Sequence, residues 1–129
     1  MKYLCLIYND ETKLDAMSTA DFDAFCGEHI AYEDELRKDG QLIVAEPLES
    51  VQTATTVRVR SEKVSITDGP FTETSEQLGG IFLIDARDLN DAIRIASKIP
   101  SARLGTIEVR PVRELTEGQR SASLRREIA

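Results

Sequence analysis

Two short runs of this chain are apolar on both of their alternating faces, and that double-sidedness narrows the possible folds more than any other feature. In residues 2–8, Tyr3, Cys5 and Ile7 point one way while Leu4, Leu6 and Tyr8 point the other. Ile81-Phe82-Leu83-Ile84 repeats the pattern. Strands of this kind sit inside a sheet and need cover above and below.

The segments around these strands supply part of that cover. Residues 9–17 read as a polar loop, and Ser18-Thr19-Ala20-Asp21 offers a hydroxyl N-cap with an acid in the first turn of a helix. Phe22, Phe25, Cys26, Tyr32 and Leu36 then recur at helical spacing, with His29 on the same stripe, and Gly40 suits a left-handed terminus. Leu42-Ile43-Val44-Ala45 reads as a short buried strand stopped by Pro47. Thr55, Val57 and Val59 alternate with Thr56, Arg58 and Arg60, and Ser61-Glu62-Lys63 turns this strand back into Val64-Ser65-Ile66, an extra hairpin. Asp88 caps a second helix with Leu89, Ala92, Ile93 and Ala96 as its inner stripe, ending by Pro100. Residues 104–112 form the last strand, with Ile107 and Val109 on one face, Glu108 and Arg110 on the other, and Pro111 where it leaves the sheet.

This order predicts an α+β fold: a ferredoxin-like split βαβ with an extra β-hairpin and two helices on one face of an antiparallel sheet. Helices on one face leave the other face of the double-sided strands bare. A second copy would cover it, which predicts a homodimer, a dimeric α+β barrel. Residues 1–112 make the domain, and residues 113–129, mixing Arg and Glu with sparse Leu124 and Ile128, make a C-terminal tail or short helix.

Charge limits the partners. Acids outnumber bases 23 to 16 for a net charge of −7, which disfavours nucleic acid and anionic membranes. The first apolar run is too short for a signal peptide and nothing approaches a membrane span, so a cytoplasmic protein is expected. Cys5 and Cys26 read as buried free thiols, and one His with scattered acids gives no metal-ligand spacing. Neither a metal nor another cofactor is expected.

Chemistry, if present, is expected around residues 67–80, where three acids, four hydroxyls, three glycines and one proline separate two apolar runs. Asp68-Gly69-Pro70 suits a turn, Phe71 could anchor it in the core, and Thr72 could cap a helical turn reaching Gln77. A purely structural loop has this composition. So does a loop that aims Asp68, Glu73 and Glu76 into a cleft, where crowding and burial would suit one of them to acid–base work. His29 is the only imidazole, so a His–carboxylate dyad would use it with Asp68; the alternative is a hydrogen-bonded core histidine. Arg110 could brace Glu108 or present its planar fork to a substrate carboxylate, and Tyr8 ends the first strand where it could border the same site.

Asp68-Gly69-Pro70-Phe71-Thr72-Glu73, then Glu76-Gln77-Leu78-Gly79-Gly80, then Glu108-Val109-Arg110-Pro111 together resemble the DGPF-domain branch of the YCII-related proteins, over essentially residues 1–112. The resemblance implies a dimeric ferredoxin-like barrel. The clustering of Asp68, Glu73, Glu76 and Arg110 in that signature points to a small organic ligand bound near residues 68–76, with Glu73, Glu76 and Arg110, and Tyr8 at the strand end, as binding residues. Cofactor-free lyase-like chemistry would follow, since relatives include a dehydrochlorinase-like enzyme with a His–Asp pair, here His29 and Asp68. Because some members accompany sigma factors, a non-catalytic regulatory or interaction module with a protein partner in transcription is the alternative. Ser75 departs from the branch, which commonly has Lys there.

Overall fold

The computed structural model describes the backbone of residues 1–128 and the side chains of residues 1–122. Strands β1 (Lys2–Asn9), β2 (Leu42–Pro47), β5 (Gln77–Asp85) and β6 (Thr106–Pro111) form one sheet in the order β2-β5-β1-β6, every neighbour antiparallel. The double-sided runs are therefore its two central strands. Strands β3 (Thr55–Arg60) and β4 (Lys63–Asp68) pair with each other as a separate two-stranded sheet. Helices α2 (Thr19–Lys38) and α3 (Leu89–Ser97) cover one sheet face, giving the ferredoxin-like α+β fold expected.

The core lies under the helices. Tyr3, Cys5 and Ile7 of β1 and Phe82 and Ile84 of β5 are buried there against Tyr32 and Leu36 of α2 and Ala92, Ile95 and Ala96 of α3. Burial pushes the Cys5 thiol up to about 11. Tyr32 crosses between the helices and donates its hydroxyl to the Ile95 carbonyl at 2.6 Å. Its own burial pushes the phenol up to about 12. On the other face Leu4, Leu6, Ile81 and Leu83 are only half-buried.

Both helices start as their sequences dictate. Ser18 Oγ accepts from the Asp21 amide, and an Asp88 carboxylate oxygen accepts from the Asp91 amide. Gly40 follows α2 with φ +71°.

Seven expectations need correction. Strand β2 is not buried throughout: Leu42 is buried, whereas Ile43 and Val44 are exposed. Residues 9–17 are not all loop: Asp10 caps a short helix, α1 (Glu11–Asp15), by accepting from the Thr12 amide. The α2 stripe faces inward through Phe25, Tyr32 and Leu36, whereas Phe22 is exposed and Cys26 half-buried. Helix α3 is rotated from the expected face. Leu89 and Ile93 are half-exposed, and Ala92, Ile95 and Ala96 are buried together with Asp91, whose carboxylate turns inward to bind Arg87 and Arg94. Phe71 does not anchor its loop in the core, being 74% exposed, and residues 72–77 form no helical turn, because Thr74 and Gln77 spend their side chains on loop carbonyls. Pro111 remains in β6 opposite Tyr3, at the sheet edge where its missing N–H is harmless.

The tail continues as α4 (Glu117–Ile128). Thr116 Oγ1 accepts from the Gln119 amide while Gln119 Oε1 accepts from the Thr116 amide, a reciprocal capping box. The side chains of Leu124 and Ile128 lie outside the described residues. No helix among the described residues is long and apolar enough to cross a membrane.

Candidate functional site

A half-open cavity of about 520 Å³ lies at the C-terminal end of β1. One wall is Tyr8 and Leu78; a second is Leu48 to Val51, the connection leaving β2; the third is Pro70, Phe71 and Thr72 of the loop after β4. Its size falls in the range of roughly 300–1,000 Å³ usual for small-ligand sites, and its lining is mostly apolar with scattered hydroxyls.

A β-bulge aims the first wall. Ile7 pairs with Gly80 but Tyr8 pairs with Leu78, so Gly79 is an extra residue on β5. A side chain at Gly79 would press on the Asn9 side-chain Nδ2 at 3.0 Å, and one at Gly80 on the Glu46 carbonyl at 3.1 Å. The Gly79 carbonyl in turn accepts from the Leu48 amide at 2.9 Å, tying the second wall to the bulge.

Glu11 braces the walls together. Its carboxylate accepts from the Val51 amide at 2.9 and 3.3 Å, and its own amide donates to Gln77 Oε1 at 3.0 Å. Gln77 Nε2 donates to the Thr74 carbonyl at 2.6 Å. The third wall hangs from the hairpin base: the Gly69 amide donates to the Ala54 carbonyl at 2.7 Å, and Thr56 Oγ1 to the Gly69 carbonyl at 2.8 Å. Gly69 has φ +91°, a conformation that glycine alone adopts cheaply, so its place before Pro70 reflects more than proline's preference for an extended neighbour.

Of the residues singled out from the sequence, Tyr8 lines the cavity, and among the described residues its hydroxyl has no hydrogen-bond partner. The loop bearing Glu73 and Glu76 walls the cavity through Thr72, Thr74 and Gln77, while the two acids themselves stand outside the lining. Glu76 accepts from Thr106 Oγ1 at 2.7 Å, and Glu73 is exposed. Asp68 is exposed at the hairpin base opposite Thr55, and Arg110 is exposed on β6 opposite Leu4.

His29 lies elsewhere, half-buried on α2. Its Nδ1 is 3.0 Å from the Phe25 carbonyl and its Nε2 2.9 Å from Ser101 Oγ, with the Phe25 ring edge-on at 4.7 Å. A carbonyl can only accept, so Nδ1 carries the proton and the Nε2 lone pair accepts from the serine hydroxyl. Among the described residues His29 makes no ion pair with Asp68.

The sequence reading missed Leu48, Glu49, Ser50 and Val51. The available signal was Ser50, whose side chain accepts from the Gln52 amide and starts the 3₁₀ turn Val51–Thr53.

Three similarities bear on kinship. The chain is 33% identical over 114 residues to an uncharacterised protein of Rhizobium meliloti (strain 1021), covering 87% of this chain and 92% of that protein. It shares its fold with 5-chloro-2-hydroxyhydroquinone dehydrochlorinase from Burkholderia phenoliruptrix AC1100, solved in complex with 2,5-dihydroxybenzoquinone. The TM-score is 0.54 at 14% identity, over 89% of this chain and 96% of that one. The regulatory-module reading gains no support from these relatives. The YCII-related domain model matches residues 1–116, and the chain belongs to the YCII-related family.

Proposed function

We propose that the chain binds a small, flat organic molecule in the cavity between Tyr8, Val51 and Phe71, as a homodimer, and handles it by acid–base chemistry without a cofactor. The observation that carries this reading is the cavity itself: apolar walls held by Glu11 around one unpaired phenol, that of Tyr8. The apolar walls would strip water from an aromatic or quinonoid ring, and the phenol can donate to or accept from a ring oxygen. Glu49, also in the lining, is the carboxylate positioned to exchange a proton with such a ligand. The dehydrochlorinase that shares the fold supplies the choice of probe, 2,5-dihydroxybenzoquinone.

The test is a titration of the full chain with that compound, followed by amide chemical shifts. Saturable shifts confined to Tyr8, Val51, Phe71 and Leu78 are expected, and Tyr8→Phe should weaken binding roughly fivefold, the worth of about 1 kcal/mol of hydrogen bond. Shifts that fail to saturate would sink the reading.

A second reading places the base at His29, because the Phe25 carbonyl fixes the tautomer with a basic Nε2. Shifts clustered on residues 25–29 and Ser101 would favour it over the Tyr8 cavity.

A further inference from the structure

We infer that the Tyr8 cavity selects a flat ring carrying a positive charge, an amine in its ammonium form, over the same ring carrying a carboxylate, and that Glu49 determines this preference. The inference rests on the cavity being a ligand site and names the class of ligand it takes. Among the described residues of the lining Glu49 is the only charged side chain, with no Lys or Arg beside it. A second carboxylate stands behind the same wall, where Glu11 accepts from the Val51 amide at 2.9 and 3.3 Å. Both negative charges favour a cation in the space between the walls.

An anion would need hydrogen-bond donors, and much of the wall has spent its own. The Leu48 amide donates to the Gly79 carbonyl at 2.9 Å and the Gln52 amide to Ser50 Oγ at 3.2 Å. The Thr53 and Ala54 amides donate to the Ser50 and Val51 carbonyls at 2.9 and 3.0 Å. Two hydroxyls are committed in the same way, Thr53 Oγ1 to the Ser50 carbonyl at 2.7 Å and Thr74 Oγ1 to the Glu76 carbonyl. Their lone pairs remain, and lone pairs solvate an ammonium group but not a carboxylate. The Tyr8 hydroxyl accepts as readily as it donates. Tyr8 and Phe71 add aromatic rings to the lining, and the face of such a ring attracts a cation.

The field of the whole chain acts in the same direction, since a net charge of −7 gathers cations and repels anions. Glu49 is exposed at a half-open mouth, so solvent and salt screen it, and this sets the size of the effect. Attraction by an exposed carboxylate is worth roughly threefold in affinity and its reversal into repulsion as much again, so about tenfold separates cation from anion. 2,5-Dihydroxybenzoquinone, whose hydroxyls are vinylogous acids, has the right shape for the cavity but carries the disfavoured charge when ionised.

The experiment titrates the full chain at neutral pH with benzylamine, benzyl alcohol and benzoate, which share one ring and differ in charge, and follows the amide shifts of Tyr8, Val51 and Phe71. The wild type should bind benzylamine about threefold more tightly than the alcohol and about tenfold more tightly than benzoate, with the gap narrowing as salt rises. Glu49→Gln removes the charge and keeps the shape, so it should bring the three probes within about twofold of one another and tighten 2,5-dihydroxybenzoquinone roughly threefold. Glu49→Asp, which keeps the charge, should keep the order. Benzoate binding at this cavity as tightly as benzylamine, or an unchanged order in the Glu49→Gln protein, overturns the charge selection and leaves the ligand site standing. Failure of all three probes and of the quinone to saturate overturns the ligand site and the selection together.

Discussion

Replacing Gly105 by alanine should strike both the fold and the cavity. Gly105 precedes β6, its amide donating to the Ser101 carbonyl at 2.7 Å, and a Cβ placed on it would stand 2.0 Å from the Tyr8 carbonyl oxygen and 3.2 Å from the Asn9 Cα. Both obstacles are backbone, so no side chain can swing away. Its φ lies outside the left-handed range, so the clash is the whole penalty. Opening such a contact by about 1 Å means parting β1 from the start of β6, an overpacking cost of about 1–3 kcal/mol or more. At roughly 4 °C per kcal/mol for a domain of this size, the melting midpoint should fall by about 4–12 °C. Tyr8 moves with its carbonyl, so 2,5-dihydroxybenzoquinone affinity should fall as well. Gly27→Ala is the matched control: Gly27 sits exposed within α2 with nothing within 4 Å of an added Cβ, and alanine there should gain about 1 kcal/mol and raise the midpoint by about 4 °C. Differential scanning calorimetry of both variants decides the matter. A Gly105→Ala protein that melts with the wild type would refute the close-approach argument.

Three more outcomes follow from the same geometry. Asp91 is held down to about 2, first by the Arg87 amide and then by the Arg94 guanidinium. Its contribution is present above pH 4 and fades as pH falls toward 2, so Asp91→Asn should flatten the loss of stability across that window in acid denaturation followed by circular dichroism. Tyr32 is raised to about 12 by burial, so its contribution is complete below pH 10 and disappears as pH rises through 12; Tyr32→Phe should remove that alkaline loss and reduce stability at neutral pH by about 1 kcal/mol. The β3–β4 turn places Ser61 at φ 50° and Glu62 at φ 65°, so Ser61→Asn with Glu62→Gly should stabilise the hairpin by about 1 kcal/mol, seen as slower amide exchange across residues 57–66.

Much of the fold was legible because periodicity reports burial directly. The double-sided runs of β1 and β5 placed them at the centre of the sheet, and Ser18 and Asp88 marked both helix starts. On helix α3 the expected stripe is right at Ala92 and Ala96 but rotated at Leu89 and Ile93, because Asp91 counts as polar in any pattern, yet here two arginines and an amide make its burial tolerable. The candidate site was legible only in part. Tyr8 was found by its place at a strand end, but the acids conspicuous in the loop stand outside the cavity. The residues that shape it act between segments far apart in sequence, Gly79 and Leu48 through a backbone hydrogen bond and Glu11 through its carboxylate on the Val51 amide. Phe71 misleads for the opposite reason: a large ring in a polar loop suggests a core anchor, and this one is an exposed part of the cavity wall.

The extra residue at Gly79 also works as a parity switch along β5. On the Gln77–Leu78 side of it, odd and even positions face opposite ways from those on the Gly80–Asp85 side, so a single deletion within Gly79-Gly80 would restore an unbroken ladder. Either Leu78 or the Ile81–Asp85 segment would then present the wrong side chains. Length changes between residues 70 and 76, where no ladder counts residues, should be absorbed far more easily. Families built on this frame should vary freely in the loop and hold the count at the glycine pair fixed.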